Sequence, residues 1–92
     1  MIIKPGPDVV ASWTMEFKEE LDSLIQESPE ELVIDLTDVE IIDSTGIGVI
    51  IAAHNLLDKQ GGKLKIINTT NDLYGLFRLM RLNNYIEIDC KK

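Results

Sequence analysis

The residues best suited to chemistry lie near the middle of the chain, where residues 43–48 read Asp-Ser-Thr-Gly-Ile-Gly. Apolar side chains follow at a spacing of three and four residues, at Ile47, Ile50, Ile51 and Leu57. This spacing is typical of a helix, and we predict that the helix begins near Ser44. The first four backbone N–H groups of a helix have no partner within it. The polar segment therefore meets a row of free hydrogen-bond donors.

This segment can have one of two roles, a structural one or a regulatory one. In the structural one, Ser44 or Thr45 caps the helix and Asp43 lies near the positive end of the helix dipole. In the regulatory one, a phosphate on Ser44 adds about −1.5 to −2 charges where the free donors tolerate an anion. A partner shaped around a neutral hydroxyl and Asp43 would then meet a dianion. Gly46 and Gly48 are expected to keep the start of the helix uncrowded for such a partner.

The elements that must position this segment follow the order β-α-β-α-β-α-β. Strands are predicted at residues 2–4, 31–36, 63–67 and 85–88, and amphipathic helices at 11–26, from Ser44 to the Gly61-Gly62 pair, and after the polar run 68–71. In the third helix, Leu73, Phe77 and Met80 are expected to face the core along with Leu76. Alternating strands and helices with short connections predict an α/β fold, with a small, mostly parallel four-stranded sheet covered by about three helices.

Composition narrows the function further. The 92 residues carry a net charge of −7, with 45% apolar and 27% charged side chains, so we expect one globular domain over residues 1–92. Residues 1–43 hold 12 acids and 2 bases, whereas residues 44–92 hold 4 acids and 7 bases. An acidic protein repels nucleic acid and anionic lipid, so neither is an expected partner. Without an 18-residue apolar run, a signal-peptide pattern or a second cysteine, direct membrane insertion is not expected and the cytoplasm is the predicted location.

Several motifs taken together resemble the STAS domain family, specifically the stand-alone bacterial anti-sigma factor antagonists. They are Leu-Val-Ile-Asp-Leu at 32–36, residues 42–48, Gly-Gly-Lys-Leu at 61–64 and Leu-Phe at 76–77. The resemblance covers about residues 30–88. It implies that the serine directly after the aspartate, Ser44, is the phosphate acceptor, with Thr45 the less favoured one. It also implies a non-catalytic switch that binds an anti-sigma factor with serine kinase activity, is released on phosphorylation, and is restored by a serine phosphatase.

The chain departs from the family pattern at its start. Members usually begin with two strands and a Gly-Glu-Leu-Asp stretch, whereas only residues 2–10 precede the first helix here, so the N-terminal hairpin is expected to be shortened. Asp8 lies near the acid of that stretch but outside its setting, and no role is transferred to it. A shortened edge exposes a strand and makes a homodimer possible.

Two other functions are compatible with the same residues. A STAS subunit of a membrane lipid or anion transport system, in which Ser44 is never phosphorylated, stays open, and so does a nucleotide-binding protein that uses Asp43 and Thr45. The segment lacks the spacing of an aspartic protease motif and the third glycine of a dinucleotide fingerprint.

The remaining chemical side chains favour structural roles. His54 stands alone and is expected to be packed or half-exposed, and Cys90 to be an exposed thiol, so no metal or cofactor is predicted. Arg78 and Arg81 belong to a solvated helix flank in one interpretation and help to dock a partner in the other.

Overall fold

The computed structural model describes residues 2–5 and 11–90, with the side chains of residues 11–14 outside that description. In chain order the elements are β1 (Ile2–Ile3), α1 (Ala11–Ile25), β2 (Glu31–Asp35), α2 (Ser44–Lys59), β3 (Lys63–Thr69), α3 (Asn71–Leu79), a 3₁₀ turn (Leu82–Asn84) and β4 (Glu87–Cys90). The predicted order of strands and helices is confirmed. Asp8 and the place where a second hairpin strand would lie, residues 6–10, are outside the described residues.

The four strands form one sheet in the order β1-β2-β3-β4, and each neighbouring pair is parallel. The predicted α/β fold with a four-stranded sheet and three helices is therefore confirmed. The first strand is a two-residue edge strand, and the proline at position 5, which has no backbone N–H to donate to a sheet, follows it closely. In a parallel sheet all C-terminal strand ends lie at one edge. The loops from β2 to α2 and from β3 to α3 both leave from that edge, which we call the C-terminal edge.

The core forms on one set of alternating strand positions. Leu32 and Ile34 of β2 and Leu64 and Ile66 of β3 are buried, whereas the residues between them are half-buried. Helix α1 adds side chains at a spacing of four residues, and α2 adds its apolar stripe. The buried helix residues include Phe17, Leu21, Ile25, Ile47, Ile50, Leu57, Leu73 and Phe77. The periodicity that predicted the helices is thus the periodicity of burial.

The glycine pair after α2 ends that helix, as predicted, for a specific reason at each position. Gly61 has a φ of +79°, a left-handed conformation that favours glycine. At Gly62 an added Cβ would lie 2.7 Å from the carbonyl oxygen of Pro29. The N–H of Gly62 also donates to the carbonyl of Leu57 at 2.9 Å, which closes the last turn. The two glycines therefore set both the end of α2 and its distance from the turn before β2.

The prediction for the end of the chain was partly wrong. The last strand begins at Glu87 and not at Tyr85, because the 3₁₀ turn precedes it and Ile86 N–H donates to the carbonyl of Leu82 at 2.8 Å. Leu82 and Ile86 are buried, and they hold this turn against the core while Tyr85 is 71% exposed. Met80 is also 44% exposed and not a core residue, because α3 ends at Leu79 and the chain turns away there.

Candidate functional site

Helix α2 begins with a side-chain cap supplied by Asp43. This residue has extended backbone angles, and its Oδ1 accepts the Gly46 N–H at 2.9 Å while its carbonyl accepts the Ile47 N–H at 3.0 Å. The expectation that Ser44 or Thr45 caps the helix is therefore wrong. Ser44 is already the first residue inside the helix, where its hydroxyl is past the capping position. The cap satisfies a helix donor without using either hydroxyl.

Ser44 and Thr45 are both exposed at the positive end of a 16-residue helix. The electrostatic effect of the α2 dipole is largest within this first turn, where it stabilises an anion by typically about 0.3–1 kcal/mol. A phosphate attached to either hydroxyl would thus sit in a favourable field. The structure therefore places two exposed hydroxyl-bearing residues at the C-terminal edge of the sheet, where a negative charge would stay solvated.

The exposed face of α2 is built from small residues next to Ser44. Gly48 and Ala52 follow Ser44 at intervals of four residues, so the three lie one above another on the helix, and all are exposed. A Cβ added to Gly48 would have no heavy atom within 4 Å, so nothing inside the domain requires glycine there. Gly46, in contrast, is buried, so of the two glycines only Gly48 lies on this exposed face. The face allows close approach by another molecule.

The loop at residues 36–43 connects β2 to this site and is anchored at several points. Leu36, Val39 and Ile42 are buried, and the Val39 N–H donates to the Leu36 carbonyl at 3.0 Å. On its polar side the loop is tied to β2 through Thr37, whose N–H donates to Asp35 Oδ1 at 3.0 Å and whose hydroxyl donates to the same oxygen. The segment that presents Asp43 is therefore fixed from both the core and the surface.

Asn68 extends this contact to the neighbouring strand. Its Nδ2 donates to Asp35 Oδ1 at 3.0 Å and to Thr37 Oγ1 at 3.2 Å, and we call these three residues the Asp35 network. Partial burial raises the pKa of Asp35, but the hydrogen bonds from Thr37 and Asn68, with the charge of Lys4, outweigh it and hold that pKa below its usual value. Sequence reasoning missed this network, although an Asp at a strand end and an Asn before a helix cap were its visible signals.

Helix α3 starts at the same edge but carries its arginines away from it. Thr70 caps this helix by accepting the Leu73 N–H at 3.1 Å. Arg78 is exposed in the last turn, about 10 Å further along the axis at 1.5 Å per residue. Arg81 is exposed beyond the helix end and has a φ of +59°. The structure thus does not bring the predicted docking arginines to the start of α2.

The two remaining candidate residues, His54 and Cys90, each contact another side chain of the domain. His54 is half-buried, as expected, and its ring centroid lies 6.4 Å from that of Tyr85. Cys90 is half-buried and not exposed as expected, and its Sγ lies 3.0 Å from Asn71 Oδ1. Within residues 2–5 and 11–90, no three His, Cys, Asp or Glu side chains are placed to hold a metal ion together.

Comparison with known proteins decides the family. The sequence profile of the STAS domain matches residues 1–91. The chain belongs to the STAS domain family. Its fold agrees with that assignment: a solved structure assigned as an anti-sigma factor antagonist from Thermotoga maritima superposes with a TM-score of 0.88 at 22% identity, covering 96% of this chain and 76% of that one. At this identity the superposition demonstrates the fold alone.

Several curated relatives of this STAS domain are named anti-sigma factor antagonists. An anti-sigma-B factor antagonist from Bacillus subtilis is 39% identical over 67 residues, which is 73% of this chain and 62% of the relative. Another from Listeria monocytogenes is 39% identical over 57 residues, 62% of this chain and 50% of the relative. The chain thus spans about half to three fifths of these relatives' lengths. In the part that the structure describes, no helix is long and apolar enough to cross a membrane.

Proposed function

We propose that this STAS domain is an anti-sigma factor antagonist whose partner binding is controlled by phosphorylation of Ser44. In this proposal the unphosphorylated domain binds an anti-sigma factor, and the phosphorylated domain releases it. The observation that carries the proposal is the exposed Ser44 hydroxyl at the start of α2, beside an Asp43 cap that does not need it. The names of the curated relatives favour this function over a subunit of a transport system.

The chemistry requires little of the domain itself. Ser44 Oγ would form a bond to the γ-phosphorus of ATP held by the kinase, the hydroxyl proton would pass to a base, and ADP would leave. The domain contributes the acceptor and a helix end that tolerates the product. Asp43 is proposed to orient this acceptor through the cap it forms, and Thr45 to lie against the kinase as a neighbouring contact. We therefore propose a binding module and not an enzyme, with no cofactor of its own.

The proposed cycle needs two further proteins. One is the anti-sigma factor itself, acting as a serine kinase on Ser44, and the other is a serine phosphatase that removes the phosphate. A single domain over residues 1–92 acting in the bacterial cytoplasm fits this cycle. Arg78 and Arg81 are proposed as a second docking contact toward the far end of α3, separate from the face around Ser44. A homodimer is not required by any step.

The proposal is tested by incubating the purified domain with the anti-sigma factor kinase of the same organism and ATP, followed by mass spectrometry. We expect one phosphate, located on Ser44, and none in a Ser44→Ala variant. Thr45→Ala is the matched control, because it removes the neighbouring exposed hydroxyl, and it should still accept the phosphate. A phosphate that persists in Ser44→Ala, or that is located elsewhere, would overturn the assignment.

A further inference from the structure

The Asp35 network joins the end of β2 and the loop that follows it to the end of β3, at the C-terminal edge of the sheet. Asp35 ends β2 and Thr37 is the second residue of the following loop, whereas Asn68 is the next-to-last residue of β3, 33 positions from Asp35. Asp35 Oδ1 accepts from both partners, and Asn68 also reaches the Thr37 hydroxyl. Each residue of the network therefore contacts the other two.

The backbone of Asn68 has a conformation that residues with a side chain rarely adopt. Its φ is +60°, in the left-handed region where glycine is the relaxed residue, although asparagine tolerates it better than most others. Glycine at this position would relieve the backbone but would lose the hydrogen bond to Asp35, at the end of β2, and the one to Thr37, in the loop that follows. Asn68 thus links the end of β3 to Asp35 and to the loop after β2, at some cost in backbone conformation.

The position of the network relates it to the site on α2. Thr37 lies in the loop that ends at Asp43. This loop is held by its buried apolar side chains and by the Leu36 N–H, which donates to the Ile67 carbonyl at 3.0 Å, and Thr37 adds the side-chain contact to Asn68. Asn68 stands two residues before Thr70, which caps α3. The same side chain therefore acts on the chain segments that lead into both helices at this edge. An exposed ion pair between Lys4 and Asp38, at 3.5 Å, adds little because both side chains are solvated.

We propose that Asn68 is a positioning residue for phosphoryl transfer at Ser44, acting through Thr37 to fix the loop at residues 36–43. This proposal rests on the proposed function. The kinase must bind a defined arrangement of this loop and the start of α2 before Ser44 can react. Asn68 touches neither ATP nor the reacting oxygen, so its removal weakens recognition of the domain and leaves the chemistry within the bound complex unchanged.

Four variants separate positioning from a general loss of structure. Asn68→Gly removes the amide while relaxing the backbone, and Asn68→Asp places a second carboxylate against Asp35. The double variant Asp35→Asn with Asn68→Asp exchanges donor and acceptor and restores a bonding pair. Ser28→Gly is the matched control, because Ser28 is exposed and has a φ of +52° in the turn after α1, away from the C-terminal edge.

The first measurement is amide hydrogen exchange in the free domain. Asn68→Gly and Asn68→Asp should speed exchange at Gly46 and Ile47 at least tenfold more than at Leu57 in the buried part of α2. The double variant should return these rates to within about threefold of the parent, and Ser28→Gly should leave them unchanged. Equal acceleration at all three amides, or no acceleration in Asn68→Gly, would overturn the proposal.

The second measurement is steady-state phosphorylation by the anti-sigma factor kinase. Asn68→Gly should raise the KM for the domain at least fivefold at an unchanged kcat, with recovery in the double variant. An unchanged KM, or the same rise in Ser28→Gly, would overturn the positioning role. If the parent domain accepts no phosphate, the proposed function fails instead, and the exchange rates alone decide whether Asn68 fixes the loop.

Discussion

Gly48→Ala tests whether the open face of α2 is a partner surface. Gly48 lies inside a helix, its φ is not positive, and an added Cβ would meet no heavy atom within 4 Å. Alanine is favoured over glycine in a helix by roughly 0.5–1 kcal/mol. The free domain should therefore become more stable by about that amount, which raises Tm by roughly 2–8 °C in a domain of this size.

Binding should change in the opposite direction. Gly48 is one helical turn from Ser44 on the same exposed face, so a methyl group added there enters the proposed contact with the anti-sigma factor. Interfaces are packed as densely as interiors at their centres, and an extra methyl in such packing costs about 1–3 kcal/mol. The dissociation constant should rise roughly 5- to 150-fold.

The assay combines a urea melt with isothermal titration calorimetry on the unphosphorylated domain. Gly75→Ala is the matched control, because Gly75 is an exposed helical glycine on α3 whose added Cβ would also meet nothing within 4 Å. It should stabilise the fold similarly and lower the affinity far less than Gly48→Ala does, because Gly75 lies outside the face of α2. A Gly48→Ala variant that gains stability and binds as tightly as the parent would refute the interface on α2.

Four further predictions each concern a change at a single residue. Asp43→Ala should lower the free energy of unfolding by about 1 kcal/mol in a urea melt through loss of the cap, and Asp43→Ser should recover most of it. The pKa of Asp35 is lowered in the fold, so its carboxylate stabilises the domain above the unfolded-state value near 3.9 and loses this effect as pH falls; Asp35→Asn should flatten the acid side of a stability-against-pH curve. Gly62→Ala should destabilise the domain by about 1–3 kcal/mol in thermal melts, since its Cβ would meet a backbone carbonyl at 2.7 Å. Arg78→Glu should weaken partner binding in calorimetry, because it reverses the charge at the proposed second docking contact. An unchanged affinity would remove Arg78 from the interface.

Local patterns in the sequence were enough to predict the fold and where helix α2 begins and ends. The start of α2 at Ser44, the end of α2 before two glycines and the burial of Leu73 and Phe77 all follow from periodicity and turn chemistry over a few residues. The shift of β4 was not predictable in this way. It depends on how Leu82 packs against the core, which is decided by distant parts of the chain.

Two details of the site were not predicted from the sequence: the residue that caps α2 and the Asp35 network. The cap at α2 was assigned to the wrong side chain, because Asp, Ser and Thr are all good caps and only the exact helix start distinguishes Asp43 from Ser44. The residues of the Asp35 network stand at suggestive places in the sequence, but their contact could not be assigned, because it joins residues 33 positions apart. Their contact requires the parallel register of β2 and β3 and a positive φ at Asn68, and neither is visible in a short window of sequence.

The central claim is that a phosphate on Ser44 ends binding of the anti-sigma factor. The most direct test compares the affinity of the unphosphorylated domain with that of the same domain stoichiometrically phosphorylated on Ser44, by calorimetry at one salt concentration. Bringing like charge or an unpaired dianion into an interface costs several kcal/mol, so a loss of about 3 kcal/mol, roughly 150-fold in the dissociation constant, is expected. Equal affinities for the two forms would contradict the account.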